Sequence, residues 1–210
     1  MFCSFRIRSL SAVIALLATA GTAQADYLWL SRDGAAATAT ARVGELEKTP
    51  QPVASVSAPR AFLADGKDLP LTVETDRVLI PVAAAGTDLR AVASRVTGES
   101  TLVQYQARWG RTETKAVNDL ELVPTEPNGN TFKLVWKGNT VAASQVNVDT
   151  AEGWRRVLKP AKDGTVTLAT PFPGLYVLEV SARVNGAVTV GGKKYEEVRH
   201  TATLSFEVPR

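Results

Sequence analysis

The chain has 210 residues, of which 45% are hydrophobic and 21% charged, and a formal net charge of +3. That length holds one large or two small domains and excludes a multi-domain assembly, and the composition suits a packed core rather than a disordered or membrane-embedded chain. Val (25) and Thr (22) far outnumber Ile (3), while 15 Gly and 11 Pro supply turns, so the β-branched excess points to an all-β fold.

Residues 1–25 read as a secretory signal. Arg6 and Arg8 precede an apolar run over residues 10–20, and Ala23-Gln24-Ala25 offers small residues at both positions a signal peptidase reads, which predicts cleavage before Asp26. The run is shorter than the ~20 residues a membrane helix needs, so the expected product is a periplasmic chain without a transmembrane segment. Cys3, the only cysteine, lies inside the signal. The mature chain therefore has no disulfide and relies on core burial. Its formal charge falls from +3 to +1 when Arg6 and Arg8 leave, which removes the compositional support for nucleic-acid binding.

From residue 26 onward the apolar residues recur with period 2, the signature of half-buried antiparallel strands. In the first half Ala39, Ala41 and Val43 share a face, as do Leu69, Leu71 and Val73, and then Val103, Tyr105, Ala107 and Trp109. Turns are expected at residues 65–68 and 86–88, and residues 88–94 are the one segment read as a short helix. The Pro- and Gly-bearing stretch 118–130 separates this half from a more regular one. There Phe132, Leu134 and Trp136 share a face, followed by Val146 and Val148, then Tyr176, Leu178, Val180 and Ala182, and finally Ala202, Leu204, Phe206 and Val208. Turn signals at Gly138-Asn139, Asp163-Gly164, Pro173-Gly174, Asn185-Gly186 and Gly191-Gly192 punctuate these strands. The expected architecture is two immunoglobulin-like β-sandwiches, residues 26–118 and 119–210, with a single larger sandwich as the alternative.

The mature chain has one histidine, His200, and neither cysteine nor methionine, which rules out a closed structural zinc site within one chain. A mixed site of His200 with Glu196, Glu197 and the free amine of Asp26 remains chemically available, while the plainer reading has His200 packing where the last strand begins. Glu196 and Glu197 are adjacent, so a strand points them to opposite faces and they cannot act as the facing carboxylates of glycoside hydrolysis. With no G-x-S-x-G elbow and no thiol, nucleophilic catalysis has no motif, and a non-enzymatic protein is expected. Gly191-Gly192-Lys193-Lys194 lacks the spacing of a phosphate loop and reads as a hairpin tip. Of the four tryptophans, Trp109 and Trp136 are in phase with apolar neighbours, whereas Trp154 is the candidate for an exposed contact with a protein or glycan, or else a cover on the sandwich edge.

Leu120-Glu121-Leu122-Val123-Pro124, Gly153-Trp154, Asp163-Gly164-Thr165-Val166, Pro173-Gly174-Leu175-Tyr176 and the final run YEEVRHTATLSF together resemble the DUF 4198 family of bacterial exported proteins. Trp29-Leu30 and Gly44-Glu45 resemble its opening, and the second half also resembles carboxypeptidase-regulatory-like modules. The resemblance implies an accessory component associated with nickel or cobalt uptake, with a membrane transport component or another cell-envelope protein as partner. It implies His200 as a metal ligand. The chain departs from the family where a histidine commonly precedes the W-L pair, since Asp26 and Tyr27 stand there. The expectation is thus an exported, non-enzymatic binding or accessory protein, with an interaction module or structural spacer as the alternative.

Overall fold

The computed structural model describes residues 26–32, 37–82 and 87–210, the side chains of residues 185 and 186 excepted, and the signal segment 1–25 lies outside them. Sixteen strands are described: β1 (Tyr27–Arg32), β2 (Thr38–Gly44), β3 (Ser57–Phe62), β4 (Asp68–Leu69), β5 (Thr72–Val73), β6 (Val78–Pro81), β7 (Leu89–Thr97), β8 (Thr101–Trp109), β9 (Leu120–Pro124), β10 (Thr131–Trp136), β11 (Asn139–Val141), β12 (Val146–Thr150), β13 (Arg155–Leu158), β14 (Val166–Thr167), β15 (Gly174–Val190) and β16 (Lys193–Val208). A single 3-10 turn, Val53–Ser55, is the only helical element among the described residues. No helix there is long and apolar enough to cross a membrane.

The strands form one large sheet and two small ones. The large sheet runs β13-β12-β15-β16-β8-β7-β3-β4, and the small ones are β1-β2-β6-β5 and β9, β11 and β14 around β10. Every pairing in the large sheet is antiparallel except one: β16 lies parallel to β8, from Glu197 opposite Thr101 to Ser205 opposite Trp109. The halves on either side of residue 119 therefore share a continuous sheet.

Side-chain alternation decides what covers each face of that sheet. Ala91, Ala93, Val103, Tyr105 and Ala107 point to the side where β1, β2 and β6 lie, and with Leu28, Leu30, Val43 and Ile80 they build the first core. Tyr176, Leu178, Ala202, Leu204 and Phe206 point to the opposite side and build the second core with Leu120, Leu122, Phe132 and Leu134. The two small sheets thus sit on opposite faces, near opposite ends, of the sheet they share. β16 lies where the two coverings overlap, and His200 through Phe206 are all buried. Its odd positions, Thr201, Thr203 and Ser205, look polar enough for solvent but lie under β1, and the Thr203 hydroxyl donates to the Leu28 carbonyl at 2.6 Å.

Two expectations are corrected. Residues 88–94 are not helical: Leu89–Thr97 pairs along its whole length with β8, because Leu89, Ala91 and Ala93 supply an alternating apolar face that a helix would scatter. Asn185-Gly186 is no turn either. The chain continues past it with a bulge between Asn185 and Val188 and reverses at Gly191 and Gly192, whose φ angles of 56° and 80° suit a tight hairpin.

Because β16 serves both cores, Leu204→Ala should cost about 2–5 kcal/mol. In urea, fluorescence dominated by Trp29 and Trp109 and that from Trp136 and Trp154, separated by single Trp→Phe variants, should lose native signal at one lowered midpoint. Two separated midpoints would show that the shared sheet does not couple the halves.

Candidate functional site

The four residues of the metal reading are held apart. His200 is on the even-numbered face of β16, beside Gln104 of β8 and Ala182 of β15, and its ring meets the edge of Trp136 with centroids 4.6 Å apart. Glu196 shares that face, but four residues along an extended strand is about 13 Å, and it is exposed, accepting from the Ser100 hydroxyl at 3.0 Å. Glu197 points the other way and is engaged by Arg199, whose Nη2 lies 2.7 Å from its carboxylate. Asp26 precedes β1 on the opposite side of the sheet and pairs with Arg95 at 3.0 Å. Among the described residues no three His, Cys, Asp or Glu side chains gather to hold a metal ion.

His200 is 4% exposed, and its Nδ1 has no hydrogen-bond partner. Burial pushes its pKa below the ordinary imidazole value; Asp119 pulls the other way and Lys137 adds to the depression. The ring is thus kept neutral, and stability is full above the unfolded-state pKa near 6.5 and is lost as pH falls toward the folded value.

Trp154 follows Gly153, whose φ of 80° makes the turn out of β12, and its backbone N–H donates to the Thr150 hydroxyl at 3.0 Å. Its indole is half-buried against the second core, edge-on to Tyr176 and Phe172 at 6.3 and 6.1 Å, with the Arg156 guanidinium 5.9 Å from the ring. Phe172 extends this patch outward at 43% exposure.

The strongest electrostatic feature lies elsewhere. Arg90 of β7 and Arg108 of β8 are both 0% exposed, and both reach Glu121 Oε1 of β9, at 3.1 and 2.8 Å. Arg108 also meets Asp88 Oδ2 at 2.5 Å, and Arg90 meets Glu113. Asp88 accepts from the backbone N–H groups of Thr112 and Glu113 at 3.1 and 2.9 Å, and Glu121 from those of Val117 and Asn118 at 3.0 and 2.8 Å. Burial works against the charge on Arg90, but Glu121 and Glu113 outweigh it and raise its pKa. At Gly110, φ is +97° and a Cβ would stand 2.2 Å from Asp88 Oδ1, so glycine alone lets the chain turn this close to the carboxylate. The cluster fastens the crossing segment between β8 and β9 onto the sheet. None of its members was singled out from sequence, because arginines in strands ordinarily face water. The available signal was their phase: Arg90 and Arg108 are directly opposite in the β7–β8 pairing, with acids just beyond the strand ends.

A second polar joint ties β1 to the second half. The Tyr27 hydroxyl donates to Asp149 Oδ2 at 3.0 Å and accepts from the Leu46 N–H at 2.8 Å. Arg155 Nε closes on Asp149 Oδ1 at 3.2 Å. Burial pushes the Tyr27 hydroxyl up out of the physiological range, and burial also raises Asp149 despite the pull of Tyr27 and Arg155.

No protein-family model matches the chain, and no curated protein matches it either.

Glu121→Ala should cost about 3–5 kcal/mol by leaving two buried guanidiniums short of a counter-charge, and Glu121→Gln less, as an amide oxygen still accepts; urea unfolding of the two variants ranks them. For His200, the fall in stability between pH 7 and pH 5 should be smaller in His200→Asn than in the parent. An equal fall in both would mean that the imidazole does not titrate differently on folding.

Proposed function

We propose that the protein is an exported, non-enzymatic accessory component of the cell envelope that docks a partner chain along a free strand edge. One observation carries the reading. β12 pairs with β15 only from Asn147 opposite Glu179 to Thr150 opposite Tyr176. Beyond that point residues 181–190 continue the hairpin with β16 on one side and, among the described residues, no strand on the other. Such an edge presents a row of backbone donors and acceptors, the template for strand addition.

Natural edges are ordinarily shortened or charged against unwanted pairing. The two ends of the sheet follow that pattern: β13 is four residues long with Arg155 and Arg156, and β4 has two residues with Asp68. Residues 181–190, by contrast, carry one charge, Arg183, among Val184, Val188, Thr189 and Val190. On its packed side the hairpin end is stiffened by Leu102, Tyr195 and Val198 against Val188 and Val190. A weakly charged, unpaired edge is suited to main-chain recognition, with side chains in alternate positions setting specificity.

The test is photo-crosslinking from Arg183 or Thr189 in cells, with mass spectrometry reading both the adduct and the mature N-terminus expected at Asp26. A discrete adduct from these positions, lost in Ser181→Lys/Ala187→Lys and not formed from Arg156, is the expected result. No adduct from any position along the edge would refute the docking role.

A further inference from the structure

The even-numbered face of the large sheet is incompletely roofed. β9 and β10 lie over its β16 side, and residues 111–118 cross it where Arg90 and Arg108 are buried. Between these coverings a groove of about 260 Å³ stays open, floored by Val92, Ser94, Gln104 and Gln106, with Ala58 and Asp119 at its rims. We propose that this groove is a binding site for a neutral saccharide unit, independent of the strand edge that docks the partner chain.

The register places the polar groups in a row. Ser94 is opposite Gln104, and Gln104 is opposite His200, so a hydroxyl, an amide and an imidazole stand on one face of three neighbouring strands, about 4.8 Å apart. Two residues along β8 on the same face, Gln106 Oε1 accepts from the Leu120 N–H at 3.1 Å, which fixes the amide orientation and leaves its NH₂ group to donate. The buried His200 Nδ1 on the same row lacks a partner, and Ser94, Gln104 and Asp119 line the open groove. The groove thus keeps donors and acceptors open to a ligand, on a face that elsewhere is covered.

The chemistry of the lining selects the ligand. No lysine or arginine lines the groove, which gives phosphate or carboxylate ligands no counter-charge. Two amides and a hydroxyl both donate and accept, and a carboxylate accepts from two hydroxyls at once, the combination that vicinal hydroxyls require. The volume lies below the roughly 300–1,000 Å³ of drug-sized sites and suits a single ring. At the rim Ala58 has φ of 50°, and the β3–β7 register shifts between Ser57 and Arg60. That bulge draws β3 out of line beside the floor, as bulges do where a strand is re-aimed next to a site.

The experiment is ¹H–¹⁵N NMR of the mature chain titrated with glucose, galactose, N-acetylglucosamine and maltose at concentrations on the order of 50 mM, a range that detects millimolar affinity. At least one sugar should shift the amides of Ser94, Gln104, Gln106 and Asp119 together. Gln104→Ala should weaken that sugar about tenfold and Asp119→Ala by more, because hydrogen bonds to charged groups are the stronger ones. Asp119→Asn, which keeps the acceptor oxygen, should weaken it less than Asp119→Ala. All four sugars leaving these amides unmoved would overturn the proposal. So would shifts confined to Trp154 and Phe172, or movement of the groove amides by calcium chloride alone with the sugars silent, which would make the groove a cation site.

Discussion

Two arginines buried to zero exposure are tolerable only if every charge around them is matched, and that constraint organises the middle of the molecule. Arg90 and Arg108 come from the β7–β8 hairpin, Asp88 from just before it, and Glu121 from the first strand of the second half. The carboxylates also take up backbone N–H groups at both ends of the crossing segment, at Thr112 and Glu113 and at Val117 and Asn118. Buried ionic sets of this kind are often no more stable than an apolar filling of the same volume; what this one adds is geometry, since Glu121 holds the backbone N–H groups of Val117 and Asn118 just before β9. The ionic joint gives one geometry to the passage from one core to the next, and with it the position of Asp119 at the rim of the groove.

That joint matters because the halves are not beads on a string. β16 is the last strand in the chain, yet it completes the first half's sheet by pairing parallel to β8, and the first strand, β1, lies across its other face. β1 is paired locally with β2, from Tyr27 opposite Gly44 to Arg32 opposite Ala39, and it also reaches distant residues: the Tyr27 hydroxyl donates to Asp149 Oδ2 and the Leu28 carbonyl accepts from the Thr203 hydroxyl. Joining Leu28 to Thr203 brings together residues 175 positions apart, an entropic cost that burial on both faces of β16 must offset.

Much of the strand content was legible because half-buried antiparallel strands alternate, as Thr131–Trp136 does; the final strand alternates in sequence but is buried on both faces from His200 to Phe206. The sharing of a sheet was not legible. Period-2 patterning reports that one face is apolar, not which small sheet will cover it, and Thr201, Thr203 and Ser205 look solvent-facing although β1 buries them. Residues 88–94 read as a helix in sequence because Leu89, Ala91 and Ala93 alternate with Arg90, Val92 and Ser94, too weak a contrast until the β8 partner is in place. The groove was illegible for a related reason: Ser94 and Gln104 face each other across one hairpin, but His200 is far from both in sequence and joins them only through the β8–β16 register. His200 was noticed for being the single histidine, and its company could not be read.

The two surfaces given functional readings are both consequences of incomplete covering. Two small sheets on opposite faces of a larger one bury the overlap, at β16, most thoroughly and leave what neither reaches. On the even-numbered face that residue is the polar row of the groove, whose side chains no apolar covering could satisfy. Along β15 it is the backbone itself, since β12 is too short to follow the hairpin outward. A longer β12 would remove the edge, and a longer segment between β8 and β9 would roof the groove. The lengths of these two segments, rather than any single side chain, determine what the molecule leaves open for recognition.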